Sequence, residues 1–187
     1  MEQGVARRIQ APLDQATIDS LRAGDQVLIS GTLLTARDAA HKRLVEAMER
    51  GETLPVDLTD QVIYYVGPAP AKPGMAVGSA GPTTSGRMDS YTPAMLEAGM
   101  RGMIGKGYRS PEVREAIARY GAVYFAALGG TGARLARRIT SAEVIAYPDL
   151  GPEAIYRLTV EDFPAVVVND RYGGDLYQQA LQEYAEP

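Results

Sequence analysis

Cysteine is absent from this chain of 187 residues. Its absence excludes disulfides, thiol nucleophiles, and thiolate ligands for zinc or iron–sulfur supplied by the chain itself. Histidine occurs once, at His41. A metal site made by this chain alone would therefore rest on carboxylates, and no carboxylate cluster has metal-loop spacing, so no metal ligands are assigned. Long hydrophobic runs are missing: none approaches the roughly 20 residues of a transmembrane helix. The opening M-E-Q-G-V-A-R-R-I-Q has no apolar run to serve as a secretion signal, which makes the cytoplasm the default location. Basic blocks are missing as well. With 19 Lys+Arg against 23 Asp+Glu and a net charge of -4, neither nucleic acid nor a membrane surface is the expected partner.

What is present is an ordinary globular composition, 45% apolar and 22% charged. The length suits one sizeable core, and residues 1–187 read as a single domain. The pattern alternates strands and helices, an α/β chain. Residues 5–12 predict a strand, Asp14 to Leu21 a short helix, and Gln26–Ser30 a strand ending at Gly31. Thr35 and Asp38 have capping-box spacing for a helix running to about Arg50. Gln61–Val66 predicts a strand and Met75–Gly78 a brief one. Thr92-Pro93 starts a helix, with threonine as N-cap. Gly102–Ile104 is a strand, and Ser110-Pro111 starts a helix ending near Gly121. Ala122–Leu128 is a strand closed by the turn Gly129-Gly130-Thr131-Gly132, and a short basic helix follows. Glu143–Tyr147, Ile155–Val160 and Ala165–Asn169 predict three strands joined by turns, the edge of a mixed sheet, before a final helix.

The densest chemistry lies in G-S-A-G-P-T-T-S-G-R-M-D, Gly78 to Asp89. Glycine lets the backbone approach a ligand, Pro82 fixes one torsion, and Thr83, Thr84 and Ser85 each donate and accept. Arg87 could hold a carboxylate or phosphate bidentately. The stretch is no phosphate-binding G-x-x-x-x-G-K-[ST] loop and no G-x-S-x-G elbow; equally, it could be a turn with capping hydroxyls. Arg37, placed in the first turn of a helix, is either solvated or faces an anion drawn to that end. Lys106, between two glycines at a strand end, is either a surface lysine or points into a cleft; Arg109 stands close by. The turn at Gly129–Gly132 is no dinucleotide fingerprint. Arg37, Thr83, Arg87, Lys106 and Arg109 would bind a small dicarboxylate well, yet they lack an electrophile and a strong base.

The stretches G-P-T-T-S-G-R-M-D (Gly81–Asp89), G-T-L-L-T-A-R-D-A-A-H-K-R (Gly31–Arg43), G-K-G-Y-R-S (Gly105–Ser110) and V-E-D-F-P-A (Val160–Ala165) resemble the β subunit, or C-terminal domain, of class I iron–sulfur fumarate hydratases and the related L(+)-tartrate dehydratases. The likeness runs from about Ile18 to Tyr177. It implies a swivelling β/β/α domain with a mixed sheet and flanking helices. It also implies a hydro-lyase that hydrates fumarate to malate, or dehydrates tartrate to oxaloacetate. The 4Fe–4S cluster would sit on a partner α subunit, with none bound here, in an α2β2 assembly; the isolated chain could pair with itself. By the same resemblance Arg37 and Arg87 hold substrate carboxylates, Lys106 contacts one, and Thr83 lies near the C3 proton as proposed base, assisted by an aspartate of the α half. His41 receives no role. The family also uses T-T-A-G where this chain has T-T-S-G, a difference that leaves the site intact. The rival readings are a non-catalytic dicarboxylate-binding domain and a structural domain.

Overall fold

Short apolar runs, some alternating and some continuous, become seven strands in the computed structural model, which describes residues 6–127 and 132–183. They are β1 (Arg7–Ala11), β2 (Gln26–Thr35), β3 (Val62–Tyr64), β4 (Gly102–Gly105), β5 (Val123–Ala126), β6 (Ile139–Ala146) and β7 (Ile155–Asn169). Neighbours from β1 through β5 are parallel. β7 runs antiparallel to β5, to β6 and to β2. Because β7 bonds to both β5 and β2, the sheet closes into a ring, β2-β3-β4-β5-β7, with β1 and β6 attached outside it.

The side-chain alternation of strands sorts the core into two parts. Val62, Tyr64, Ile104, Val123 and Phe125 join Leu33, Leu158 and Phe163 in one buried cluster, enclosed by the ring. Ile63, Tyr65, Met103 and Tyr124 face the other way. Those outward residues are covered by α2 (Asp38–Glu49), α3 (Thr92–Glu97) and α4 (Pro111–Tyr120), through Ala40 and Leu44, Met95 and Leu96, and Val113 and Ile117. Burying each such large side chain stabilises the fold by about 1.5–3 kcal/mol. The short helices α1 (Gln15–Ser20) and α5 (Gly132–Ala136) add Ile18 and Leu135 to the enclosed cluster, and α6 (Leu176–Glu183) closes the described chain. This is the mixed-sheet β/β/α architecture of swivelling domains.

Local chemistry explains the element ends. Asp14 caps α1 by accepting from the Thr17 amide, and Ser110 caps α4 by accepting from Val113, with Pro111 at its start. Gly121 ends α4 in the left-handed region at φ 64°.

Five sequence expectations are corrected. Thr35 is not a helix cap: β2 continues through it, and its buried hydroxyl accepts from Tyr156 N (3.0 Å) and lies 3.3 Å from Ala154 O. Arg37 is the N-cap residue of α2, with no side-chain capping bond. Thr92 is likewise inside α3, its hydroxyl donating to Met88 O at 2.9 Å. Met75–Gly78 forms no strand: Met75 N donates to Lys72 O, Gly78 N to Ala69 O and Ala69 N to Ser79 O, turn-like bonds to the proline-rich loop and not a ladder. The strands expected at Ile155–Val160 and Ala165–Asn169 are one strand, β7. Between them Glu161 and Asp162 face the single residue Ser30, a β-bulge, and the Asp162 amide donates to Ser30 Oγ. The turn expected at Gly129–Gly132 lies mostly outside the described residues.

Candidate functional site

Parallel strands deliver their carboxyl ends to one side, the usual place for ligands in such sheets. Here β2 leads to Arg37, β3 to Tyr65, and β4 directly to Lys106. The hydroxyl-rich loop is fastened across these ends. Thr83 N donates to Tyr65 O (2.7 Å), Ser85 N donates to Lys106 O (2.9 Å), and Thr84 and Lys106 form a parallel bridge. A short 3-10 turn, Ser85–Met88, then carries Arg87 to the start of α2, where its Nε donates to Asp38 Oδ1 at 3.0 Å and its Nη2 lies 2.9 Å from Asp38 Oδ2. Arg37, Thr83, Arg87 and Lys106 thus come to the same end of the sheet. Two glycines permit the close packing. A Cβ on Gly105 would collide with Ser85 Oγ, and one on Gly67 would come within 2.9 Å of Arg37 Nη1.

The three hydroxyls of the loop have different surroundings. Ser85 is fully buried, 2.9 Å from Tyr124 Oη, and Tyr124 donates in turn to Gly107 O at 2.9 Å. The Ser85 hydroxyl is therefore the donor to Tyr124 and is structural. Thr84 is exposed. Thr83 is half-buried, and among the described residues its hydroxyl has no hydrogen bond.

Arg109 does not join the open cations. Its side chain is 0% exposed; Nε donates to Asp89 Oδ1 (2.7 Å) and Nη2 to Thr92 Oγ1 (2.7 Å), and Nη1 lies 3.4 Å from Tyr65 Oη. Asp89 Oδ2 accepts from Ser110 N at 2.7 Å. This buried pair ties the loop ending at Asp89 to the loop that carries Lys106.

His41 lies one turn into α2, fully buried, its ring edge-on to Tyr65 at 5.3 Å. Its Nδ1 donates to Arg37 O (2.8 Å), the same oxygen that accepts the helical bond from His41 N. Burial pushes its pKa down from 6.5 to about 4; nearby Arg109 also lowers it, against the Arg37 carbonyl bond and Asp38. The unfolded chain therefore binds a proton here between pH 6.5 and 4 that the fold excludes. The stability from neutral His41 is complete above pH 6.5 and declines as pH falls toward 4, by about 3 kcal/mol in total. Denaturation midpoints of wild type and His41→Gln across that range check this: the variant should lose the slope.

Three side chains of this region received no site role from the sequence: Asp38, read there as a capping partner, which holds Arg87; Asp89, which holds Arg109; and Glu153, whose Oε1 lies 3.9 Å from Arg37 Nε and 3.5 Å from Ala39 N. Asp38 was visible beside Arg37 in T-A-R-D, whereas Glu153 belongs to a distant loop, Pro148–Glu153, and carries no motif. Among the described residues no three His, Asp or Glu side chains converge to hold a metal ion, and no helix there is long and apolar enough to cross a membrane.

Comparison with known proteins covers nearly the whole chain. The model of the family described as "Fumarase C-terminus" matches residues 2–180. The aerobic class I fumarate hydratase of Escherichia coli strain K12 is 42% identical over 175 residues, 92% of this chain but 31% of that protein. The anaerobic class I enzyme of the same strain is 40% identical over 179 residues, 95% of this chain and 32% of the relative. The chain thus spans about a third of the length of these fumarate hydratases. A putative L(+)-tartrate dehydratase subunit beta of Methanocaldococcus jannaschii is 34% identical over 180 residues, with 93% of this chain and 92% of the relative covered. With the strand-end loops and the closed mixed sheet, these matches establish that the chain belongs to the fumarase C-terminus family.

Proposed function

We propose that residues 1–187 form one domain, the β side of a cytoplasmic iron–sulfur hydro-lyase acting on a small dicarboxylate, with fumarate and malate as the leading pair. The observation that carries this reading is the gathering of Arg37, Thr83, Arg87 and Lys106 at the ends of β2, β3 and β4. Two arginines and a lysine suit a doubly negative ligand and stabilise charge that grows on a carboxylate when the neighbouring carbon loses its proton. In this reading Arg37 and Arg87 hold carboxylates, Lys106 contacts one, and Thr83 faces the C3 proton as base, with an acid from the partner α subunit assisting a hydroxyl that is weak alone. Leaving or attacking water calls for a Lewis acid, the chemistry a 4Fe–4S cluster supplies. The residues described here do not fit such a cluster, since the chain has no cysteine. The cluster belongs to the partner, in an α2β2 assembly.

The second reading, tartrate as substrate, is favoured by the tartrate dehydratase relative, which this chain covers over 92% of its length. The test is a substrate panel of fumarate, malate and L(+)-tartrate, run anaerobically on the isolated chain and on the chain mixed with the cluster-bearing partner. The chain alone should be inactive, and the mixture should turn over one pair. Full activity of the isolated chain would overturn the split-site reading, and an inactive mixture that binds no dicarboxylate would overturn the hydro-lyase.

A further inference from the structure

The two arginines differ in how the protein holds them. A guanidinium offers five N–H donors in a planar fork. Arg87 Nε donates to Asp38 Oδ1 at 3.0 Å, and its Nη2 lies 2.9 Å from Asp38 Oδ2, which has no hydrogen bond; among the described residues the Nη1 donors are uncommitted. Arg37 is held loosely: Glu153 is 3.9 Å from its Nε, and that Nε is buried without a hydrogen bond. Asp38 is also the first residue of α2, directly after Arg37. One carboxylate therefore fixes Arg87 relative to the backbone that carries the other arginine.

We propose that Asp38 is the positioning residue for Arg87: it orients the guanidinium so that the remaining donors meet one carboxylate of a dicarboxylate ligand, and it sets the spacing between the two carboxylate-binding groups. Arg37, without a comparable partner among the described residues, adjusts to the second carboxylate. The assignment rests on the dicarboxylate reading above. A bidentate contact is sensitive to the angle of the fork, so freeing Arg87 should weaken binding while leaving the reacting atoms in place. The competing idea is that Asp38 occupies Arg87 as an internal anion that a ligand must displace. Removing its charge would then tighten binding, the opposite sign.

The experiment uses the assembled complex and two readouts. Calorimetry measures the affinity for succinate, a dicarboxylate with neither hydroxyl nor double bond to react, and steady-state kinetics separates KM from kcat. Asp38→Asn should weaken succinate binding and raise KM on the order of tenfold or more with kcat changed little, and Asp38→Glu should recover part of the loss. Glu153→Gln should change both far less. Unchanged or tighter succinate binding in Asp38→Asn would overturn the assignment. If the wild-type complex neither binds succinate nor turns over any of the three substrates, the dicarboxylate reading itself fails. The Asp38–Arg87 pair is substantially exposed, with side chains 32% and 53% accessible, so the variant should fold, and an unchanged thermal midpoint confirms it.

Discussion

Asp89→Asn should destabilise the fold by about 3–5 kcal/mol, although it changes one atom and leaves almost no cavity. The reason is the partner it abandons. The Arg109 side chain is fully buried and its counter-charge is Asp89 at 2.7 Å. An arginine cannot shed its proton to escape, so the amide would leave a buried charge without compensation. Tyr65 and Tyr124 offer ring faces 5.4 and 5.0 Å from the guanidinium, and Thr92 accepts one bond, but none of these carries negative charge. Chemical denaturation of the two proteins measures the difference. A loss below about 1 kcal/mol, the scale of an exposed pair, would mean that Arg109 does not depend on Asp89. Arg109→Met should cost less than Asp89→Asn, because Asp89 keeps its bond from Ser110 N and is 16% exposed. Since this pair joins the two loops that carry Arg87 and Lys106, dicarboxylate affinity should fall along with stability.

Thr83→Ala should lower turnover of the assembled complex by roughly two to four orders of magnitude, the usual contribution of a positioned proton-transfer group, with the fold unchanged. The bond that anchors residue 83 runs from its backbone amide to Tyr65 O, and alanine keeps it. The hydroxyl has no hydrogen bond among the described residues, so its removal leaves nothing unsatisfied. Ser85→Ala is the contrasting control. It removes the donor to Tyr124 in a buried chain ending on Gly107 O, and should reduce stability by about 1 kcal/mol, with a smaller effect on turnover. Wild-type turnover in Thr83→Ala would exclude it as the base. Succinate affinity close to wild type would show that the loss lies in the chemical step.

Much of this arrangement was legible in the sequence, for reasons particular residues make plain. Glycine-flanked Lys106 after an apolar run, and Ser110-Pro111 before a helical one, are local signals, and the chain obeys them. The family resemblance was carried by the same loops. The failures are non-local. Thr35 reads as a cap because Asp38 follows at the right spacing, but its hydroxyl bonds to Ala154 and Tyr156, at the start of a strand far along the chain. Glu161-Asp162-Phe163-Pro164 reads as a turn because two acids and a proline interrupt the apolar pattern, and Asp162 does adopt a positive φ of 47°. Only Ser30 across the sheet shows it to be a bulge in a continuous strand. Arg109 looked like one more cation for an anion, and its counter-charge, Asp89, lies twenty residues away. The pairing of an acid with each arginine follows from packing, which the sequence does not display.

The closing of the sheet by β7 bears on how the molecule is made. Gln26 pairs with Val166 and Leu34 with Arg157, so the ring requires contacts between residues more than 120 positions apart in the chain. Loop closure of that length must precede the stabilisation it brings, which slows folding of such high-contact-order sheets. During synthesis β2 leaves the ribosome long before β7 exists, with a ten-residue edge unpaired on that side. A nascent chain in that state is open to pairing with other strands. The last third of the sequence, which contributes none of the four proposed ligand-contacting residues, is therefore what ends the period of exposure, and truncations before Ile155 should be recovered as aggregates.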